Sequence, residues 1–274
     1  KGHIPVHDFR LDQTEFLQLP PKSETILDAG VKQKTEGTNS LPIIAKFPMY
    51  LEYEGQTVAL GTATFSVPLS VHRISDVKAD GNLEEWEARQ WISIPGPVKG
   101  RQTHEGDATA KFAVGWDDNA LYIAFDVHDD KFLQNFTGVQ MWKGDSVQVA
   151  IDGMRDPGGN DGYDLNDYEF GVAQGPQGPQ SFCWYGVLGM TRGPNPNIEY
   201  GIKTDDNRRT YEIAIPWTSI QALKPGNGRV FGLLTIINDS DEPGDAEKRG
   251  YLEWGGEIVN RKYTSGFYGA RLVE

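Results

Sequence analysis

The sequence predicts an all-β fold: an antiparallel, jelly-roll-like β-sandwich preceded by a partial immunoglobulin-like β segment. Three observations predict it. Two-residue alternation recurs along the chain, turn formers are abundant, and helical periodicity is scarce. In Leu121–Val127, residues Leu121, Ile123, Phe125 and Val127 share one face, and Tyr122, Ala124 and Asp126 share the other. A strand sends successive side chains to opposite faces, so this is the signature of a half-buried strand. Ser146–Asp152 and Tyr211–Ile215 alternate in the same way, and Lys111–Trp116, Tyr168–Ala173, Val230–Asn238, Tyr251–Trp254 and Phe267–Val273 complete a set of eight. The 274 residues include 32 Gly and 16 Pro. That is roughly a sixth of the chain, where about an eighth is usual, and the excess marks many short elements joined by turns. Only Asn82–Arg89 and Trp217–Leu223 have room for a turn or two of helix.

In chain order, residues 1–70 stand apart. They hold no Trp, and a polar loop, Lys32–Ser40, lies among short strand-like pieces at Thr25–Leu27, Pro42–Phe47, Met49–Tyr53 and Ala63–Val67. So few strands are thin for an independent sandwich. The segment therefore reads as the later part of an immunoglobulin-like accessory domain. Residues 71–274 carry the sharper alternation and are expected to form the sandwich proper. The first residue is Lys1, with no signal-peptide pattern, which reads as a processed piece of a longer chain.

Composition narrows the function. The net charge is −13 and the sequence pI is about 4.8, a field that repels a phosphate backbone, so nucleic acid is not an expected partner. A single cysteine, Cys183, excludes an internal disulfide and a multi-thiolate zinc site. No apolar run approaches the ~20 residues of a membrane-spanning helix. The longest, VFGLLTII at Val230–Ile237, suits a buried strand.

Four stretches resemble the family 9 carbohydrate-binding modules: DGNLEEW at Asp80–Trp86, ATAKFAVGWDDNALYIAFDVHD at Ala108–Asp129, WKGDSVQVAID at Trp142–Asp152 and FYGARLV at Phe267–Val273. Tyr211–Trp217 (YEIAIPW) fits more loosely, and the likeness runs over about Ile74–Val273. The resemblance implies a non-catalytic sugar-binding sandwich that carries calcium and serves a larger polysaccharide-degrading protein. It also implies an upstream catalytic domain and an extracellular or periplasmic location. In the family an aromatic clamp holds the sugar while polar side chains take its hydroxyls. Trp142 falls on one clamp position. The second has no Trp here, and Tyr263 is the nearest substitute. The family's acid on the strand after Trp142 is matched by Gln148, its arginine by Gly171 and an amide by Ile236. Most of the polar grip is thus changed, and the resemblance implies sugar binding without a particular sugar.

A sugar ring offers an apolar C–H face and a fringe of hydroxyls, so a site needs flat aromatic surface and forked polar groups. Trp142, directly before a strand, is placed to stand at the rim of the sandwich. Gln148, Asn260 and Arg261 supply forks. In SFCWYG (Ser181–Gly186), alternation puts Phe182 and Trp184 on one face and Tyr185 on the other. Trp184 and Tyr185 are therefore further candidates, though a strand with one face in the core cannot present all three. Trp116, Trp217 and Trp254 read as packing residues. The expected ligand is a neutral plant or algal polysaccharide or oligosaccharide, bound at micromolar to millimolar affinity.

The loop DGMRDPGGNDGYDLND (Asp152–Asp167) is the candidate calcium site, with Asp152, Asp161, Asp164 and Asp167 as ligands. Carboxylates at short irregular spacing, with glycines that let carbonyls turn inward, suit a hard cation. The alternative is a solvated polar loop. Rival functions are a structural spacer without glycan binding, a glycosidase using two of the 39 acids, and a haem sandwich using Met141 and His128.

Overall fold

The computed structural model describes residues 10–11, 31–32, 44–53, 56–66, 68–96, 98–100, 106–156, 162–242, 249–256, 258–259 and 262–274, with side chains from 68 onward. The chain divides into two compact units, one of residues 1–39 with 45–65, the other of 40–44 with 66–274. In the first, β1 (Arg10–Leu11) pairs antiparallel with β2 (Val31–Lys32), and β3 (Ile44–Tyr53) with β4 (Gln56–Ser66). The two strand pieces read at Pro42–Phe47 and Met49–Tyr53 are one strand. The piece read at Thr25–Leu27 lies outside the described residues.

The regular elements of the second unit are almost all strands: β5 (Leu69–Arg73), β6 (Ile92–Ile94), β7 (Ala108–Trp116), β8 (Ala120–Asp129), β9 (Ser146–Asp152), β10 (Asp167–Gly175), β11 (Gly178–Tyr185), β12 (Gly193–Pro194), β13 (Glu199–Asp205), β14 (Arg208–Pro216), β15 (Val230–Asp239), β16 (Gly250–Trp254) and β17 (Tyr268–Val273). They form one curled, hydrogen-bonded sheet in the order β12-β11-β10-β9-β15-β17-β5-β7-β8-β14-β13, with β16 on β15 and β6 on β7. The β-sandwich is as expected, and the helices among the described residues are short 3-10 turns such as Glu84–Trp86 and Gly138–Lys143. One feature differs. β5 runs parallel to both of its neighbours, β17 and β7, so the sheet is mixed. The boundary expected between residues 70 and 71 falls inside β5, and the sequence shows no alternating run there that marks a strand for this seam.

The core is the face that alternation marked. Phe112, Leu121, Ile123, Phe125, Val147, Val149, Ile151, Tyr168, Phe170, Tyr211, Ile213, Phe231, Leu233 and Trp254 form one buried cluster. Trp254 meets Phe112 and Tyr268 edge-on, each at 4.9 Å between ring centroids. Trp116, Trp217 and Trp254 are buried, as their packing assignment requires.

Both outer faces carry further structure. On the β7–β8–β14 face, the segment Ile74–Trp91 packs through Ile74 and Trp86 onto Ala113 and Ala124. Glu212 of β14 holds it: Trp86 Nε1 donates to Oε1 (2.6 Å), and the Gly81 and Asp80 amides donate to Oε2 (2.7 and 3.2 Å). Gly81 has φ +83°, and a Cβ there would lie 2.9 Å from the Ile202 carbonyl carbon. Only glycine adopts that backbone readily and leaves room for β13. The string DGNLEEW is therefore a docking motif for the fold. On the β9–β10–β15 face, residues Ile258, Val259 and Phe267 cover Ala150, Leu234 and Ile236 in a smaller cluster. The neighbouring part of that face stays open.

Candidate functional site

The open part is a groove of about 390 Å³ lined, among the described residues, by Trp142, Gln148, Tyr163, Glu169, Trp184, Tyr185, Ile236, Arg249, Val259 and Lys262. Trp142 sits in the 3-10 turn Gly138–Lys143. Met141 anchors that turn: its side chain is fully buried, and its carbonyl accepts from Gln134 Nε2 (2.9 Å). With Met141 turned inward, the next residue points to the rim, and Trp142 is half-buried there.

Trp184 arrives from β11 and is tied to the same turn, its indole N–H donating to the Val139 carbonyl at 2.9 Å. Its six-membered ring packs against Gly171, where an added Cβ would come within 2.8 Å of it. The residue standing where the family has an arginine is thus the floor on which an aromatic ring rests. The expectation that Trp184 and Tyr185 face opposite ways is corrected. A register shift in the β10–β11 ladder pairs Phe170 with Cys183 but Glu169 with Tyr185, leaving Trp184 as an extra residue. Such a bulge resets the alternation, and both aromatic residues line the groove while Cys183 stays in the core.

Between the aromatic residues lie polar groups. Gln148, on β9 opposite Gly171, is 6% exposed, lines the groove, and its amide bonds no described residue. Glu169 accepts Lys262 Nζ on both oxygens (2.6 and 2.8 Å). Arg249 stacks on Trp142, its guanidinium carbon 4.8 Å from the ring centroid. It donates Nη1–H bonds to the Trp142 carbonyl (3.3 Å) and to Asn238 Oδ1.

Trp142 and Gln148 thus share one groove, as expected, and Trp184 and Tyr185 join them there. Tyr263 is not among the lining residues, and Asn260 and Arg261 lie outside the described residues. Tyr163, Glu169, Arg249 and Lys262 were not assigned to the site from the sequence. For Glu169 a signal was present, since alternation along Tyr168–Ala173 puts it on the outer face with Gly171. Arg249 comes from a neighbouring chain segment across β15, and only the pairing of β15 with β16 reveals it.

Of the four residues proposed for metal, three are described, and Asp164 Oδ1 accepts from the Asn166 amide (3.0 Å) and Nδ2 (2.6 Å). Asp152 Oδ1 accepts the Met154 and Arg155 amides, and Asp167 Oδ2 accepts the Asp164 amide (2.6 Å). Burial pushes Asp152 up to about 6 and Asp167 up to about 7. Asp161 lies outside the described residues. Carboxylate oxygens approach within 4.8 Å in two other trios, Asp129–Asp145–Asp239 and Asp107–Asp130–Asp241, which the sequence reading did not single out. The first trio is wholly buried. Burial, and then the neighbouring carboxylates Asp241, Asp130 and Asp107, push Asp129 up to about 6; burial and Asp129 push Asp145 well above the usual range.

A family model described as "Carbohydrate family 9 binding domain-like" matches residues 78–267. The chain belongs to this family. It is a carbohydrate-binding module and not a catalytic domain. The module is 28% identical over 226 residues to endo-1,4-beta-xylanase A of Thermotoga maritima, covering 82% of this chain and 18% of that protein. It is 32% identical over 209 residues to exoglucanase XynX of Acetivibrio thermocellus, covering 76% of this chain and 16% of that one. The chain therefore spans less than a fifth of these relatives. Among solved structures, the fold matches a family 9 module from Caldicellulosiruptor kristjanssonii in complex with cellotriose (TM-score 0.58, 22% identity, 75% of this chain and 93% of that one). It also matches the same organism's module in complex with glucose (TM-score 0.59, 22% identity, 75% and 95%).

Proposed function

We propose that the groove binds a pyranose ring of a neutral plant or algal glycan, with Trp142 and Trp184 as stacking surfaces and the Gln148 amide as the hydroxyl-reading group. The observation that carries this reading is the convergence of two half-buried tryptophans on one groove whose floor holds a polar fork unused by the protein. The glucose and cellotriose complexes of the related modules support a glucose-type ring. Stacking removes a modest apolar area from water at ~25 cal/mol per Å². Hydroxyl hydrogen bonds add ~0.5–1.5 kcal/mol each. Association costs consume much of this, so micromolar to millimolar affinity is expected. Calorimetry against neutral oligosaccharides, run beside Trp142→Ala, tests it. Wild-type binding that the variant loses supports the site, binding that the variant keeps moves it elsewhere, and no binding at all leaves a spacer domain.

The same reading makes the module an accessory to a catalytic domain in a longer polysaccharide-degrading protein acting outside the cytoplasm, where polymeric glycans are met. The sizes of the xylanase and exoglucanase relatives support this, and fractionation of the source cells with an antibody to the module checks the location.

For calcium, the buried trio Asp129, Asp145 and Asp239 is the better-fitting donor set. Three carboxylates within 4.8 Å of one another and sealed from water need a hard dication or protons. Burial and mutual repulsion favour protons when no cation is present. A bound dication supplies charge compensation and ties the β8 end, the approach to β9 and the β15 end together. Chelation of metal-loaded protein is expected to lower the melting temperature by several degrees, and Asp145→Asn to abolish the response. A melting temperature indifferent to chelator counts against the metal.

A further inference from the structure

We infer that the groove prefers a glycan bearing a single carboxylate, a hexuronate at or beside the stacked ring, and that Arg249 is the residue that reads it. The inference rests on the groove being the sugar site and adds the charge of its ligand.

The argument is one of charge balance in a confined place. Three charged side chains line the groove among the described residues: Glu169, Lys262 and Arg249. Glu169 and Lys262 neutralise one another through two short contacts. Arg249 has no carboxylate partner among the described residues. Its protein contacts are the Trp142 carbonyl, the Asn238 side-chain oxygen and the faces of Trp142 and Tyr251 (4.8 and 5.5 Å). Lys143 lies over Trp142 as well, 5.7 Å from the ring centroid, again without a described acid partner. Burial lowers the Arg249 pKa, the mark of a cation held partly out of water. A guanidinium in that state gains most from a charge-assisted, forked contact with a carboxylate. Both contacts to protein oxygens use Nη1, so Nε and Nη2 remain to form the fork.

The surroundings limit how much negative charge the ligand carries. The chain as a whole has a net charge of −13, so a dense polyuronate is repelled at long range. One carboxylate on an otherwise neutral chain escapes most of that repulsion and still meets Arg249 at contact. The ligand class is therefore an otherwise neutral glycan that carries or ends in one uronic acid.

The test compares matched sugars that differ only at C6: methyl β-glucoside with methyl β-glucuronide, and methyl β-galactoside with methyl β-galacturonide. Calorimetry or ligand-observed NMR at low salt reads the affinity ratio. We expect the uronide of at least one pair to bind about tenfold more tightly than its neutral partner. Raising NaCl from 20 mM to 500 mM should shrink the ratio, since screening shortens from ~20 Å or more to a few Å. Arg249→Gln should bring the ratio near one. If Arg249→Gln does not fold, Arg249→Lys, which keeps the charge and loses the fork, takes its place and should shrink the ratio, while Lys143→Gln should leave it unchanged. Equal or weaker uronide binding with the neutral sugars bound overturns this inference alone, as does a preference unchanged by both salt and Arg249→Gln. Failure of all four sugars to bind overturns the sugar site and this inference with it.

Discussion

The two outer faces of the sheet begin with similar equipment and end differently. Each offers tryptophans beside a buried glutamate on a central strand: Trp86 and Trp91 with Glu212 on one side, Trp142 and Trp184 with Glu169 on the other. On the β7–β8–β14 face a chain segment folds down and Glu212 takes three N–H donors from it, so Trp86 is fully buried. On the β9–β10–β15 face Glu169 is paired with a lysine and the indoles stay half-exposed around a groove. The difference teaches that an aromatic-acid pair leaves a groove open to a ligand only where the chain itself has not filled it. Breaking each face separately should therefore give opposite phenotypes.

The largest effect is expected at Trp86. Trp86→Ala removes a fully buried indole and takes from Glu212 Oε1 its donor, and losses for such truncations run ~3–5 kcal/mol. Trp142→Ala, at a half-exposed rim position, should cost ~1 kcal/mol or less in stability yet lose at least about tenfold in glycan affinity, or ~1.4 kcal/mol of binding. Urea denaturation and calorimetry on both variants give the four numbers. Similar stability losses would erase the contrast between the faces.

How far the sequence foretold this contrast can be seen residue by residue. Alternation placed the core strands because burying one face of a sheet imposes period two on the chain. That Trp142 and Gln148 share a groove was legible in the family resemblance and in the place of Trp142 just before β9. What alternation could not show was a bulge, a close approach or a partner from a distant strand. The β10–β11 register shift turns Trp184 and Tyr185 to the same groove. Arg249 reaches Trp142 only because β16 pairs with β15. The trio Asp129, Asp145 and Asp239 joins three strand ends that spacing cannot connect. DGNLEEW looked like a family label, and the fold shows its physical reason to be the docking of Gly81 and Trp86 onto Glu212.

A second, intermediate effect should separate the two glutamates by pH. Burial pushes Glu212 up to about 7, while the N–H bonds from Trp86, Gly81 and Asp80 pull it the other way. Because the folded value lies above the unfolded one, near 4.3, the folded state holds the proton longer. The contribution of Glu212 is complete below pH ~4.3 and is lost as pH rises through ~7. The slope is at most ~1.4 kcal/mol per pH unit for one proton. Glu212→Gln removes this titration but misplaces one amide hydrogen, so the variant should be less stable at pH 5 and close the gap by pH 8. Urea midpoints at four pH values in calcium-saturated buffer test it, since other carboxylates titrate alike in both proteins. Parallel curves would mean that Glu212 does not change protonation on folding.

The smallest expected effect on binding is also the most local. Gly171→Ala places a methyl carbon within 2.8 Å of both the Trp184 ring and the Val147 carbonyl oxygen. The backbone oxygen belongs to the β9–β10 ladder and has little freedom, whereas the indole can lift at the expense of its bond to Val139. The variant should fold with a stability loss of ~1–3 kcal/mol, the usual range for overpacking. Its main consequence should be at the groove, where a lifted Trp184 narrows the space above Gln148. A threefold to tenfold loss of glycan affinity, ~0.7–1.4 kcal/mol, is expected, with a change in tryptophan fluorescence as the ring leaves the sheet. Gly201→Ala supplies the contrasting control. A Cβ there would come within 2.3 Å of the Asp80 carbonyl carbon, on the face that the chain fills for itself. That variant should lose stability and leave the intrinsic glycan affinity of the folded fraction unchanged. Glycan affinity that falls equally in both variants would show that the two faces are coupled through the core.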